Sequence, residues 1–100
     1  MLKHSQPRPR VDNTIVKALA RAFRWRKLLE AGVFGTVEEI AKAEKINASY
    51  VSRLLRMTLL APEIVEMILS GQLPREITLA TLTKPFPLSW AAQRQTVLGQ

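Results

Sequence analysis

The sequence contains no cysteine, which excludes a disulfide framework and a thiolate metal site. His4 is the only histidine and lies in a polar N-terminal segment. The glycines are scattered rather than gathered into a phosphate-binding loop. Ser49 and Ser52 have no histidine nearby, Tyr50 favours packing over nucleophilic chemistry, and no carboxylate pair suggests acid–base work. The sequence therefore predicts a protein that is not an enzyme and needs neither a metal ion nor another cofactor.

Long apolar runs are also missing. The most apolar stretch, residues 57–69, is interrupted by Pro62, Glu63 and Glu66, so we expect no transmembrane helix. The N-terminus lacks the apolar centre of a signal peptide. These features predict a cytoplasmic protein without a membrane partner.

Acidic residues are few, and they are scarcest in the first quarter of the chain. Residues 1–27 hold eight basic residues against Asp12 alone, whereas residues 28–100 hold seven residues of each sign. The whole net charge of +7 therefore lies before residue 28. Such asymmetry favours a polyanionic partner. The simpler alternative is a soluble tail followed by a solvated helix face.

The chain is predicted to form one small domain preceded by an arm. Residues 1–11 are expected to be a flexible basic arm, because prolines and basic residues there leave little to bury. Residues 12–100 show apolar residues at helical spacing and no sustained period-two alternation. The predicted fold class is all-α, a single small domain of five or six helices.

A long first helix is predicted over Thr14 to Ala31, with Asp12 or Asn13 as its N-cap and Gly32 as its stop. The apolar residues on one side of this helix are Ile15, Val16, Leu19, Ala22, Phe23 and Leu29. The basic residues on the opposite side are Lys17, Arg21 and Arg24, flanked by Lys27.

Two residues of this helix fit the pattern less well. Trp25 lies near the border between the two sides, where it either completes the edge of the core or stacks on a partner. Arg26 falls on the apolar side. It either extends outward along its methylene groups or pairs with a carboxylate such as Glu30.

The middle of the chain has the pattern of a helix-turn-helix. Thr36 with Glu39 matches a capping box at the start of a first helix, predicted over Thr36–Glu44. Asn47 is a good N-cap for a second helix, predicted over Asn47–Thr58. The residues expected to pack the two helices together are Ile40, Ala41, Ile46, Val51 and Leu54.

The predicted turn departs from the usual pattern because it contains Lys45 in place of glycine. The chain needs a positive φ at this point, which a non-glycine residue adopts at a cost of about 1 kcal/mol. Glu44 is expected to lie at the edge of the buried region.

The outer side of the second helix carries small polar and basic residues and no acid. Such residues can reach base edges and phosphates in a major groove. We assign Ser49 and Ser52 to base edges, Arg53 to a guanine and Arg56 to a phosphate. The candidate DNA-binding residues are Lys45, Asn47, Ser49, Ser52, Arg53, Arg56, Lys17, Arg21, Arg24, Arg8 and Arg10.

Three more helices are predicted in the second half of the chain. Ala61-Pro62 starts one that Gly71 ends, residues 78–83 form a short one, and Ser89 caps the last, from about Trp90 to Leu98. The apolar stripe of the first of these helices is Ile64, Val65, Ile68 and Leu69.

One resemblance is to the helix-turn-helix domain of ParB-type partition proteins, over residues Ile40 to Leu82. It is carried by the segment YVSRLLRMTLLAPEIVEMILSGQL. The matching positions are Leu54-Leu55-Arg56, Ala61-Pro62-Glu63 and Gly71-Gln72-Leu73. No nucleotide-binding ParB box is present.

A second resemblance covers Ile15 to Gly99 and is the more specific. The segments ALARAFRWRKLLEAG, AEKINASYVSRLLRMTLLAPEIVEMILSGQLP and PLSWAAQRQTVLG resemble a module near the C-terminus of certain large bacterial serine site-specific recombinases and of phage-like proteins. This resemblance implies double-stranded DNA binding linked to a mobile element or phage, as a recombination or regulation accessory. It does not imply recombinase activity, because we expect that catalytic domain to lie upstream of the module.

The alternative from another functional class is a protein-interaction module that docks on a recombinase or replication partner without touching DNA. In that case exposed apolar residues such as Trp25, Phe86 and Trp90 would form a larger patch than a monomer normally shows. The oligomeric state is left open, because no heptad seam marks a dimer interface.

Deleting residues 1–10, which removes Lys3, Arg8 and Arg10, should weaken binding to all duplexes alike. Each lost phosphate contact should flatten the slope of log affinity against log salt by about 0.9. Titrations of the full chain and the truncated chain at several salt concentrations measure both effects. Loss of affinity for a preferred site alone would instead assign the arm to minor-groove readout.

Overall fold

The computed structural model describes residues 11–98, in which the regular structure is helical and no strand occurs. In chain order the helices are α1 (Asn13–Glu30), α2 (Val37–Glu44), α3 (Ala48–Leu55), a 3-10 helix (Arg56–Leu59), α4 (Pro62–Ser70), α5 (Leu79–Leu82) and α6 (Trp90–Leu98). The predicted all-α fold class is confirmed. Within this part of the chain, no helix has the length and apolar character needed to cross a membrane.

Helix α1 begins and ends through local hydrogen bonds. Asp12 is the N-cap, since its Oδ1 accepts hydrogen bonds from the backbone N–H groups of Thr14 (3.0 Å) and Ile15 (3.4 Å). At the other end Gly32 has a φ of 77° and begins the exit from the helix. The Val33 N–H then bonds back to the Leu28 carbonyl at 2.9 Å, which is the Schellman pattern of helix termination.

The core is built on one face of α1, which packs against α3, the 3-10 helix, α4 and α5. The residues of α1 that are buried in this core are Ile15, Ala18, Leu19, Ala22 and Trp25. Trp25 is 0% exposed, so it lies in the core, as one of its two predicted placements had it, although inside the core and not at its edge. Phe23 is 40% exposed, so its predicted place on the apolar side was wrong. Trp25 follows Ala22 by three residues and so stays on the same buried face. Phe23 directly follows Ala22, so it is rotated from Ala22 by about 100° around the helix axis.

The position of Arg26 on the apolar side is explained by two contacts. Its Nε donates a hydrogen bond to Glu30 Oε2 at 3.2 Å, which confirms the predicted pairing. Its Nη1 also lies 3.4 Å from the carbonyl oxygen of Thr58 in the 3-10 helix. Arg26 thus links α1 to the end of the segment that follows α3.

Helices α2 and α3 are joined by residues 45–47. Thr36 Oγ1 accepts the Glu39 N–H at 3.2 Å, as predicted for the start of α2. Glu39 Oε1 accepts the N–H of Gly35 at 2.8 Å, one residue earlier than in a standard capping box. Lys45 has φ 60° and ψ 45°, so the predicted left-handed turn is confirmed.

The residues predicted to pack α2 against α3 are mostly buried. Ile40, Ala41, Val51 and Leu54 lie in the core, and Ile46 is half-buried against it. The predicted end of the second helix was wrong, because α3 ends at Leu55 and the chain continues as a 3-10 helix. The Thr58 hydroxyl donates to the Leu55 carbonyl at 2.8 Å in this tighter turn.

Helix α6 is attached to the preceding part of the chain through a buried glutamine. The Gln93 side chain is 0% exposed, and its Oε1 accepts the Ala61 N–H at 2.8 Å. Its Nε2 donates to the carbonyl oxygens of Leu59 (2.9 Å) and Leu88 (3.4 Å).

Leu69 is 54% exposed, so its predicted place in the apolar stripe of α4 was wrong.

Replacing Ala41 with leucine should lower the free energy of unfolding by about 1–3 kcal/mol, because the larger side chain overpacks the contact between α2 and α3. Ala41 is only 6% exposed, whereas Ala43 on the same helix is exposed, so Ala43→Leu serves as the matched control. Thermal unfolding of both variants measures the difference. An unchanged midpoint for Ala41→Leu would contradict close packing at this position.

Candidate nucleic-acid interface

The outward side of α3 is set by the residues that the helix buries. Val51 and Leu54 are both 0% exposed. At about 100° per residue, Ser49, Ser52 and Arg53 lie on the opposite side, and all three are exposed. Arg56 is exposed at the start of the 3-10 helix, four residues after Ser52. The sequence-predicted residues of α3 and Arg56 therefore share one solvent-facing surface, which we call the α3 face.

The α3 face carries positive charge without an internal counter-ion. Between residues 11 and 96, the ion pairs are Arg24–Glu44, Arg26–Glu30 and Arg94–Glu63, and none of them involves Arg53 or Arg56. The sequence of α3 contains no acidic residue. Two guanidinium groups are thus available for planar, bidentate contacts with an external anion or a base edge.

The first turn of α3 contains a hydrogen-bonded pair that the sequence analysis did not foresee. Asn47 is the N-cap, since its Oδ1 accepts the Ser49 N–H at 2.8 Å. The same oxygen accepts the Ser49 hydroxyl at 2.6 Å. The N-cap was predictable from residue type, but the second bond depends on the side-chain rotamer of Ser49.

The turn before α3 holds Lys45 in a conformation that normally favours glycine. Helices α1, α2 and α4 all end in the Schellman pattern, with the left-handed residue being Gly32, Lys45 and Gly71 respectively. The Ile46 N–H donates to the Ala41 carbonyl at 3.0 Å, which stabilises this turn. A charged residue is therefore held in a strained position beside the N-terminus of α3, as residues at functional sites often are.

One residue of the basic stripe of α1, Arg24, lies close to the turn between α2 and α3. Lys17, Arg21 and Arg24 are exposed, and Arg24 Nη2 lies 3.3 Å from Glu44 Oε2. Glu44 directly precedes Lys45, so the pair places Arg24 beside the turn that leads into α3. An ion pair with this exposure contributes about 1 kcal/mol or less, so Arg24 can exchange it for a phosphate at little cost.

Two other cationic residues near the turn have distinct surroundings. The Arg21 guanidinium carbon lies 5.8 Å from the centroid of the Trp25 ring, within the range of a cation–π contact. Lys42 is exposed in the last turn of α2, three residues before Lys45. Lys42 was missed in the sequence analysis, and helical spacing from Lys45 was the signal that could have identified it.

Some of the predicted site residues are not brought together. Arg8 and Arg10 lie outside the described residues. Trp25 is fully buried and Phe86 is half-buried, whereas Trp90 is 56% exposed. The apolar surface suggested for a protein partner therefore cannot include Trp25 in this fold.

No family model, curated protein or solved structure matches this chain. The assignment of the site therefore depends on its own residues and geometry.

Replacing Lys45 with glycine should raise the free energy of unfolding by about 0.5–1 kcal/mol, because relief of left-handed strain exceeds the entropy that glycine adds to the unfolded chain. Lys42→Gly is the matched control, since it also removes one positive charge but lies inside α2. There glycine should destabilise the protein by about 1 kcal/mol. Chemical denaturation of the two variants should give shifts of opposite sign, and a destabilised Lys45→Gly would contradict strain at the turn.

Proposed function

We propose that this protein binds double-stranded DNA through a helix-turn-helix formed by α2, residues 45–47 and α3. The observation that carries the proposal is the α3 face, which is exposed and free of acid and holds two arginines without an internal partner in the described part of the chain. A helix with this kind of outer side fits the width and depth of the major groove. The opposite side of α3, with Val51 and Leu54, is buried in the core, so the side chains of the α3 face are held toward the solvent.

The order of residues along α3 supports a division of roles. The first half of a recognition helix approaches base edges, and its later turns approach the backbone. Ser49 and Ser52 are therefore assigned to base edges. Arg53 is assigned to the acceptor atoms O6 and N7 of a guanine. Arg56, which lies beyond the end of α3, is assigned to a phosphate.

The remaining cations would supply affinity without sequence choice. Lys45 lies at the turn, and Lys17 and Arg21 lie on α1; all three are exposed. Lys17 and Arg21 belong to residues 1–27, which hold the whole net charge of +7. Arg24 would contribute once it leaves Glu44. Phosphate contacts of this type release counter-ions, so the binding should weaken steeply with added salt.

A link to a mobile element or phage, as a recombination or regulation accessory, is supported only by the resemblance of sequence motifs described above. The competing proposal is a module that docks on a recombinase or replication protein without DNA. Exposed Leu59, Leu88 and Trp90 favour this alternative. Gln93 Nε2 donates to the backbone carbonyl oxygens of both leucines, at 2.9 Å and 3.4 Å, so Leu59 and Leu88 lie close together. Elution from heparin and duplex DNA columns distinguishes the two, because only the DNA binder should elute late and in a salt-dependent manner.

The decisive experiment for the proposed function is selection of binding sites from a pool of random duplex DNA. Enrichment of a sequence motif would support the helix-turn-helix assignment, and a doubled motif would indicate a symmetric dimer. Absence of enrichment together with weak retention on DNA columns would favour the docking module.

Arg53→Ala should lower affinity for the selected site by about 1–3 kcal/mol and relax preference at one base pair, because it removes a bidentate contact with a base. Arg56→Ala should weaken all sequences similarly and reduce the salt slope by about one, as expected for a phosphate contact. Titrations with the selected duplex and a scrambled duplex measure these effects.

Arg75→Ala is the matched control, because Arg75 is an exposed arginine between Pro74 and Glu76, outside α3 and the turn before it. All three variants should stay folded by circular dichroism, since none of these side chains is buried. Unchanged affinity of a folded Arg53→Ala variant for the selected site would exclude α3 as the recognition helix and favour the docking module.

A further inference from the structure

The hydroxyl group of Ser49 has a fixed hydrogen-bond polarity. The backbone N–H of Ser49 can only donate, so the Asn47 side-chain atom 2.8 Å away must be the carbonyl oxygen Oδ1. This oxygen can only accept, and it lies 2.6 Å from Ser49 Oγ. The Ser49 hydroxyl proton is therefore directed at Asn47. What Ser49 offers to an external molecule is the pair of acceptor sites on its oxygen.

Ser52, one turn further along the α3 face, provides the contrast. It is also exposed, but its hydroxyl makes no hydrogen bond within residues 11–96. Its hydroxyl can rotate and either donate or accept. Two serines on the same face therefore differ in what they can recognise.

In the major groove the hydrogen-bond donors on base edges are the exocyclic amino groups, N6 of adenine and N4 of cytosine. Resting on the proposed function, we infer that Ser49 is a specificity-determining residue that accepts a hydrogen bond from one such amino group. Asn47 is the positioning residue, because it holds the Ser49 proton away from the groove. A guanine or thymine edge offers Ser49 only acceptors and cannot satisfy it.

Arg53 complements Ser49 on the same helix. It follows Ser49 by four residues, so their side chains are neighbours on the helix surface. The arginine carries only donors, whereas the fixed serine carries only acceptors. The α3 face thus presents an acceptor in its first turn and donors in the next, which matches an amino group close to a guanine in the target.

The inference is tested with a cycle of protein and DNA changes on the selected duplex. Each adenine or cytosine of the motif is replaced in turn by purine or 2-pyrimidinone, which lack the amino group. One replacement should weaken binding of the unmodified protein by about three- to tenfold, as for one hydrogen bond. The same replacement should not further weaken binding of the Ser49→Ala variant to the duplex. Ser52→Ala, the matched control, should show the full loss for that replacement.

A second variant tests whether the fixed hydrogen-bond polarity of the Ser49 hydroxyl matters, and not only the presence of its side chain. Asn47→Gly preserves most of the helix cap, because glycine is tolerated at N-caps, and it frees the Ser49 hydroxyl. The effect of removing the amino group should then fall, because the hydroxyl can donate to an acceptor instead. Replacing guanines and adenines with 7-deaza analogues, which lack the N7 acceptor, should couple to Arg53→Ala and not to Ser49→Ala.

Coupling of Ser49→Ala to loss of N7, or to no base change at all, would overturn the role assigned to Ser49 while leaving DNA binding intact. Unchanged amino-group discrimination in Asn47→Gly would overturn the positioning role of Asn47. If random-site selection yields no motif and the protein is only weakly retained on DNA columns, the proposed function fails, and the inference fails with it. If it yields no motif but the protein is retained strongly, the inference fails while DNA binding stands.

Discussion

Burial of one face of α1 against α3 and the 3-10 helix is the contact on which the other elements depend. Helices α2 and α3 have eight residues each, a length at which isolated helices are marginal in water. Helix α1 has 18 residues and presents a continuous apolar face that includes Leu19, Ala22 and Trp25. Packing on this face stabilises α3 directly, and α2 packs in turn on α3. It also fixes the side of α3 that faces the solvent.

The composition of α3 follows from this constraint. Val51 and Leu54 must face inward, so the polar and basic residues between and after them face outward. The turn before α3 is stabilised by backbone hydrogen bonds that hold Lys45 in a left-handed conformation despite its side chain. Strain at Lys45 and the positive charge of Arg24 therefore lie close together at the turn. The proposed DNA binding would give this strain and this positive charge a function.

Helix α6 is held by a different kind of interaction. Gln93 satisfies the Ala61 N–H and two carbonyl groups from a fully buried position. Such a network is stabilising only when every member has a partner, which makes Gln93 specific for one placement of α6.

Trp25 Nε1, in contrast, is buried without a hydrogen-bond partner among the described residues. The packing of the indole ring must offset the loss of that hydrogen bond.

The sequence by itself determined the features that depend on neighbouring residues. The caps Asp12, Thr36 and Asn47 and the left-handed Lys45 involve bonds over two to five residues, so residue type and spacing were sufficient. The acid-free outer side of α3 was visible for the same reason, because helical periodicity alone assigns its residues to one face.

The tertiary structure decided what lies far apart in the chain. The contact of Arg24 with Glu44 spans 20 residues and that of Gln93 with Ala61 spans 32, so neither partner can be identified from local spacing. It also left Phe23 exposed, which periodicity assigns to the apolar side of α1, and fully enclosed Trp25, which lies near the border of that side. Packing against the neighbouring helices determined which ring is enclosed. The switch from α3 to a 3-10 helix was likewise not predicted, because a small change in hydrogen-bond register depends on the contacts that residues 56–59 make with α1.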